Sequence, residues 1–463
     1  MDLSEQLNRV FYPKTVAVIG ASDNMEKVGA WSVQNLLNGG YKGKIFPVNP
    51  SLSEVFSLKS YPSVTAIPEE VDLAIIAVPV QHILTVIEDC VAKGIKAVIM
   101  FTSGFGELGT KSGQDLQDKI RNIANKAGIK IIGPNCLGVL NTHINFNGTF
   151  QSQISSTKAG NTALISQSGG VCVYLAQTLT EANVGVSKLI SMGNRCNLDF
   201  HEVLSYFTQD EDTKVIVLYI EGLEKPRELM TVAKQTVKQK PIIAYKAGRH
   251  EKVNQASLSH TGALSGNYDY YKAAFTQSGI IAIDSLTELL DTTKALSYQP
   301  PAAGNRVAIV AIAAGVGLIM ADKCYEAGLR LAEFSPETQQ KLKKLVSPIG
   351  SYHNPVDMGL LFNNVNLLRE VIKALIEDDN VDMISISGIP WYIQIVNQAL
   401  ESIPNHNGKP VVHASFYSRN EEDILAKERL ENINHIPNFY FPERAVTALS
   451  ALHKYGEILR TRS

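Results

Sequence analysis

Short apolar, β-branched runs alternate with amphipathic stretches through the first third of the chain: Thr15–Ile19 (TVAVI), Ile45–Val48, Leu73–Val78, Ala97–Phe101 and Ile129–Ile132. Each pair is separated by enough residues for a crossover helix, and that spacing predicts a parallel, doubly wound sheet. A second series runs through Thr162–Ile165 (TALI), Val215–Ile220 and Pro241–Tyr245, and ends near a Pro/Ala/Gly-rich break, Tyr298–Asn305 (YQPPAAGN), which reads as a linker. Beyond it Val307–Ala314 (VAIVAIAA) leads into Gly315-Val-Gly317 and a helical pattern, followed by Met383–Ile386 and Pro410–Ala414, so a third α/β unit is expected. No low-complexity tract and no short-period repeat interrupts these series.

With 463 residues, the chain accommodates about three domains at roughly 150 residues each. A formal net charge of −2 gives no broad electrostatic footprint for nucleic acid or an anionic membrane, so an anionic ligand must be captured by a local site. The start, MDLSEQLNRVFYPK, has no apolar signal core, and nowhere do 18 uninterrupted apolar residues occur, so neither export nor membrane spanning is expected. The five cysteines (Cys90, Cys136, Cys172, Cys196, Cys324) are scattered, with no C-x-x-C and no metal-like pairing with histidine. A reduced, cytoplasmic setting and no metal site are the expectations.

Candidate chemistry gathers at the strand ends. Gly20-Ala21-Ser22 follows the first strand, and Gly29 opens the next helical pattern. A small-residue turn there lets backbone N–H groups and a helix N-terminus approach a phosphate, with Ser22 and Lys27 able to add direct contacts. Ser22 replaces the second glycine of a G-x-G-x-x-G, and the second strand ends in Val48-Asn49-Pro50 without the acidic residue that would hold a ribose. A nicotinamide-dependent dehydrogenase is therefore the weaker reading, and a nucleotide-like phosphate ligand other than NAD is favoured over a purely structural turn. Val78-Pro79, Thr102-Ser103-Gly104-Phe105 and Gly133-Pro134-Asn135-Cys136 end the third, fourth and fifth strands, and with the first loop they are expected to surround one crevice. Taken singly, each is turn chemistry.

A second constellation begins at Ser166-Gln-Ser168-Gly169-Gly170, between the strand TALI and a helical run. Glycines and a serine at a helix N-terminus offer convergent N–H donors that suit a transferable phosphoryl group, although a plain N-cap by Ser168 fits the same residues. Ser257-Leu-Ser259-His260-Thr261-Gly262-Ala263 is a run of small residues around one histidine. A neutral imidazole is nucleophilic near neutral pH and can carry a phosphoryl group, while a lone loop histidine is more often simply solvated. Glu221, in Tyr219-Ile-Glu221-Gly222 at a strand end, can fix an imidazole tautomer or can pair with a cation such as Arg227.

Taken together, these residues resemble the α subunit of ADP-forming acetate–CoA ligases, and more distantly that of succinyl-CoA synthetase. The resemblance runs from VAVIGAS near the start to FPERAVTAL near the end, and rests on SQSGG (166–170), YIEG (219–222), SHTGALSG (259–266), NPVDM (354–358) and GPNCLG (133–138) in that family's order and spacing. It implies a Rossmann-like CoA-binding domain (1–145) followed by two flavodoxin-like doubly wound domains, 146–300 with the phosphohistidine loop and 301–463. It further implies that His260 is phosphorylated, that Glu221 steadies it, and that Ser168, Gly169 and Gly170, with Thr261 and Gly262, hold the phosphate. CoA is assigned to Gly20, Ala21, Ser22, Lys27, Asn49, Pro50, Val78, Pro79, Ser103, Gly104, Asn135 and Cys136.

The mechanism so implied has phosphate attack an acyl-CoA to give acyl phosphate and CoA, with His260 then carrying the phosphoryl group to ADP, reversibly. No ATP-grasp domain is found before Ser463, so Mg with ADP or ATP is expected on a separate ATP-grasp β subunit, in an α2β2 assembly. The third-domain loop Ile312-Ala-Ala-Gly315-Val-Gly317 departs from the Asn-Ala-Gly or Gly-Gly spacing common in the family, so no ligand role is carried over to it. The rival within the same lineage is a noncatalytic acyl-CoA-binding module, which would lack a functional phosphohistidine.

Overall fold

The computed structural model describes residues 1–250, 267–401, 403 and 406–462. They form two compact units, Met1–Asp284 and Ser285–Ser463. Three main sheets carry the architecture, two in the first unit and one in the second.

The first sheet holds β1 (Thr15–Ile19), β2 (Lys44–Val48), β3 (Leu73–Ile76), β4 (Ala97–Met100) and β5 (Lys130–Ile132). All pair in parallel in the order β2-β1-β3-β4-β5. These strands are near-continuous apolar runs because helices cover both faces. On one face Ala17, Ile19, Ala74, Ile76, Val98 and Met100 pack with Ile83, Ile87 and Ile120, from the helices Ile83–Lys93 and Lys111–Ala127. The strand order reverses between β1 and β3, so the loops after these two strands diverge and leave an opening.

The second sheet is larger than the sequence pattern suggests. It contains β6 (Gly138–Asn141), β7 (Phe146–Thr149), β8 (Ala159–Ser166), β9 (Val186–Ser191), β10 (Val215–Ile220), β11 (Ile242–Lys246) and β12 (Ile281–Ile283), in the order β12-β11-β10-β8-β9-β6-β7. Five strands are parallel, while β6 pairs antiparallel with β9 and with β7. The inner strand β9 reads poorly because Lys188 sits in its middle. That lysine is fully buried, its Nζ donating to Asp210 and Asp212 at 2.9 Å and lying 4.9 Å from the centre of the Tyr12 ring, so the charge is neutralised where it stands.

The third sheet lies in the second unit, with β13 (Arg306–Ala311), β14 (Arg330–Leu331), β15 (Val356–Asp357), β16 (Met383–Gly388), β17 (Val411–Ser415) and β18 (Asn438–Tyr440). Its order is β14-β13-β16-β17-β18, with β15 also pairing β13, all parallel. The apolar run Val307–Ala314 does not stay extended to its end. The strand stops at Ala311 and a helix begins at Ala314, with Ala313 at the N-cap giving no side-chain bond. The parallel strands of all three sheets therefore repeat one doubly wound plan, the α/β class expected. Among the described residues no helix is long and apolar enough to cross a membrane.

Candidate functional site

The four strand-end loops expected around one crevice divide between two. The first crevice, about 570 Å³, opens at the reversal point of the first sheet and is lined by Gly20, Ala21, Ser22, Lys27, Asn49, Val78, Pro79 and Ser103, with Phe101, Thr102 and others. The helix Val28–Asn38 starts against the Gly20 turn, and a Cβ on Gly29 would stand 2.0 Å from the Gly20 carbonyl oxygen. Only glycine permits that approach, which brings the helix N-terminus onto the loop. Asn49 holds the lip: its Nδ2 donates to the Ala21 carbonyl at 2.8 Å and its Oδ1 accepts from the Ser51 N–H at 2.8 Å. Pro50 and Gly104 are not among the lining residues. The Gly104 and Phe105 amides instead donate to Glu107, which withdraws them from any ligand.

The second crevice, about 510 Å³, belongs to the start of the second sheet. Asn135 and Cys136 line it, rather than the first. The loop after β5 is drawn that way by backbone bonds from Asn194 N–H to Pro134 O and from Cys196 N–H to Gly133 O, both 2.9 Å. Burial pushes the Cys136 thiol up to about 12, so it fills space and is no nucleophile at neutral pH.

The same crevice gathers Ser168, Gly169, Gly170 and Glu221. Helix Gly169–Glu181 begins here, with Ser168 Oγ accepting from the Val171 N–H. The serine is thus an N-cap, and the helix start still faces the crevice. A Cβ on Gly170 would meet nothing within 4 Å, so packing does not demand this glycine. Open space over the first amides of a helix suits an approaching anion.

Glu221 follows β10 and is 9% exposed. Gln167, which the sequence reading passed over, sets the backbone there: its Oε1 accepts from the amides of Glu221 and Gly222 at 3.0 and 3.1 Å. On the neighbouring strand Lys246 pairs in register with Ile220 and is 1% exposed. Burial lowers its ammonium from 10.5 to about 8, against the pull of the Glu221 carboxylate, while Arg249 adds to the lowering. A buried cation therefore lies close to Glu221. No sequence motif marked Lys246 or the lining residues Phe150 and Asn194, while Gln167, inside SQSGG, and Phe101, at the end of a strand run, carried no assigned role. His260, Thr261 and Gly262 lie outside the described residues.

Phe101 and Ser103 line both crevices, so one wall serves the two. Among the described residues no group of three or more His, Cys, Asp or Glu is placed to hold a metal ion.

Family models match three segments of the chain. Residues 14–142 match a CoA binding domain, 159–296 a succinyl-CoA ligase like flavodoxin domain, and 307–388 a ligase-CoA domain. A CoA-binding fold followed by two such units defines an acyl-CoA synthetase of the nucleoside-diphosphate-forming class. The α subunit of acetate–CoA ligase [ADP-forming] II from Pyrococcus furiosus is 39% identical over 456 residues, covering 96% of this chain and 97% of its own. Acetate–CoA ligase [ADP-forming] I from Archaeoglobus fulgidus is 38% identical, and the chain covers 64% of its length. An acetyl-coenzyme A synthetase 1 from Candidatus Korarchaeum cryptofilum, solved in complex with phosphate and ADP, superposes with a TM-score of 0.90 at 33% identity, covering 99% of each chain. The chain belongs to the family of ADP-forming acetate–CoA ligase α subunits.

Proposed function

We propose that this chain is the CoA-handling, phosphoryl-carrying subunit of a cytoplasmic ADP-forming acyl-CoA synthetase, with the segments 1–145, 146–300 and 301–463 as its working domains. CoA takes the first crevice, from Gly20, Ala21, Ser22 and Lys27 across to Val78, Pro79 and Ser103. Phosphate takes the second, at the helix start Ser168–Gly170. An oxygen of phosphate attacks the thioester carbonyl; the C–O bond forms, the C–S bond breaks, and CoA leaves as the thiolate. An imidazole nitrogen of His260 then attacks phosphorus, forming N–P as the carboxylate departs. Glu221 accepts a hydrogen bond from the N–H of the other ring nitrogen and steadies the positive ring. The β-phosphate of ADP takes the phosphoryl group on a partner subunit that carries an ATP-grasp nucleotide site with Mg, in an α2β2 assembly.

The observation that carries this reading is the shared wall: two crevices, one suited to a nucleotide-like ligand and one to an anion, meet at Phe101 and Ser103. A thioester held in one is then presented to a nucleophile held in the other.

The test is to co-express the chain with a candidate ATP-grasp subunit, incubate with Mg-ATP, and map acid-labile phosphate by mass spectrometry, with His260→Ala as control. Phosphate on His260 that acid plus CoA discharges is the expected result. No phosphate in an intact complex that still binds CoA leaves a noncatalytic CoA-binding module.

A further inference from the structure

A cleft of about 570 Å³ lies in the second unit, at the amino-terminal ends of β13, β16 and β17. Open α/β sheets bind their substrates outside the carboxyl ends of the strands, so this cleft is at the end of its sheet that the doubly wound plan leaves unused. Its walls come from the linker 301–303, from Arg306, Asp382 and Lys409 at or just before the three strand starts, and from Leu459 and Arg460 of the helix Pro442–Arg462.

Packing fixes these walls. Arg460 Nη1 donates to the Ala302 carbonyl at 2.9 Å, and a Cβ on Gly456 would stand 2.1 Å from the same oxygen, so the linker lies on the helix only because residue 456 is glycine. A Cβ on Gly304 would stand 2.3 Å from Asp382 Oδ2, so a second glycine lets the linker turn in over that carboxylate. Arg306 grips Asp382 through Nε and Nη2, both at 2.9 Å, and the two charges neutralise each other.

The other charged lining residues are two cations and one carboxylate: Lys409, Arg460 and Asp379. Lys409 donates one of its three N–H groups to the Asp378 carbonyl at 2.7 Å. Burial draws its ammonium below the ordinary lysine range, against the pull of Asp378, Asp379 and Asp382, so an arriving anion restores stabilisation that the ammonium has lost with its water. Two cations match the nearly two negative charges of a phosphate monoester better than the single charge of a carboxylate. Asp379 can only accept, which suits a hydroxyl on the same ligand. An inorganic ion would leave most of the space unfilled, since a cleft of this size accommodates a whole organic molecule.

We propose that this cleft binds a phosphate monoester of a polyhydroxy compound, a sugar phosphate or a nucleoside monophosphate. Lys409 and Arg460 take the phosphate, Asp379 accepts from a sugar hydroxyl, and the body of the ligand lies against Leu459. The site does not depend on the chemistry proposed above, and it is tested by binding alone.

The experiment is calorimetric titration of the full chain with ribose 5-phosphate and with AMP, in saturating CoA so that the first crevice is filled. Both esters should bind, and adenosine should not. Inorganic phosphate and gluconate, added as competitors, should displace ribose 5-phosphate only at about tenfold higher concentration or more. Lys409→Met and Arg460→Gln should each weaken both esters by about tenfold or more, with CoA affinity unchanged. Asp379→Ala should lower the preference for ribose 5-phosphate over inorganic phosphate by about fivefold. AMP binding tighter than ribose 5-phosphate supports a nucleoside ligand, and equal affinities support a sugar phosphate. No binding of either ester up to about 10 mM overturns the proposal, as does affinity unchanged in both cation variants. Displacement by inorganic phosphate or gluconate at equal concentration also overturns it, because the cleft is then no site for an organic phosphate. Should Lys409→Met not fold, Arg460→Gln decides.

Discussion

Lys246→Met separates the electrostatics of the site from its packing. The wild-type ammonium is 1% exposed and is lowered from 10.5 to about 8, so in the folded chain it gives up its proton more readily than in the unfolded one. Between those two values the unfolded state binds the extra proton, and stability therefore rises with pH through that window. With about 8 folded and about 10.5 unfolded, the lysine costs the fold about 3 kcal/mol at pH 7 and about 1.5 kcal/mol at pH 9.5. Methionine carries no such cost at either pH. The stability of Lys246→Met relative to wild type should thus be more favourable at pH 7 than at pH 9.5 by about 2 kcal/mol. Urea unfolding of both proteins at the two pH values, fitted with separate transitions for the two compact units, provides the measurement. The same substitution removes the positive charge beside Glu221, so phosphoryl transfer should fall while the fold gains. Equal stability differences at pH 7 and 9.5 would refute the account, since they would mean that Lys246 is not held against its charge.

Four further outcomes follow from the geometry. Gly29→Ala drives a Cβ to 2.0 Å from the Gly20 carbonyl oxygen, so the helix must retreat; about 1–3 kcal/mol of stability should go, with CoA affinity, as read by thermal unfolding and calorimetry. Gly170→Ala, whose Cβ meets nothing within 4 Å, should leave stability within about 1 kcal/mol yet lower phosphorylation of the chain by Mg-ATP and partner. Lys188→Met leaves Asp210 and Asp212 without their cation and should cost about 3–5 kcal/mol by urea unfolding, whereas Asn49→Asp should weaken CoA binding by losing the bond to Ala21 without creating an NADH site, which fluorescence titration reads directly.

The parallel strands were legible where both faces are covered by helix, because burial then demands a continuous apolar run. TVAVI gives β1 to the residue, and VIVLYI gives β10. Legibility fails where a buried charge interrupts the run, as Lys188 does in β9, since its neutralisation depends on Asp210, Asp212 and Tyr12, distant or unpatterned in sequence. It fails again in β6 and β7, where GVLN and FNGT carry the glycine and asparagine of turns; these antiparallel strands are specified by their pairing with β9 and with each other. At the site, small residues at strand ends were readable because the chemistry requires their smallness. Phe101, Phe150 and Gln167 were not, because an aromatic wall and a backbone-holding amide look like ordinary core and loop until the fold places them.

The placement of Asn135 and Cys136 has a wider meaning for the proposed chemistry. Had the loop after β5 stayed with the first crevice, the nucleotide-like ligand and the anion would each have had a closed site of their own. Instead its backbone is bonded to the segment Asn194–Cys196 of the second sheet, so the two sheets are stitched at the rim where their crevices meet. That stitch makes Phe101 and Ser103 common property of both sites. In the proposed chemistry phosphate then reaches a thioester without either ligand leaving its place, and the aromatic side of the same wall keeps water from the acyl phosphate. Removing the side-chain bonds that flank the stitch should therefore raise hydrolysis of acyl-CoA at the expense of ATP formation. Asn194→Ala, which removes the side-chain bonds to Glu107, Gln117 and Asn135, is the variant in which the ratio of thioester cleaved to ATP made should climb above that of wild type; a ratio that holds steady would show that the wall does not depend on it.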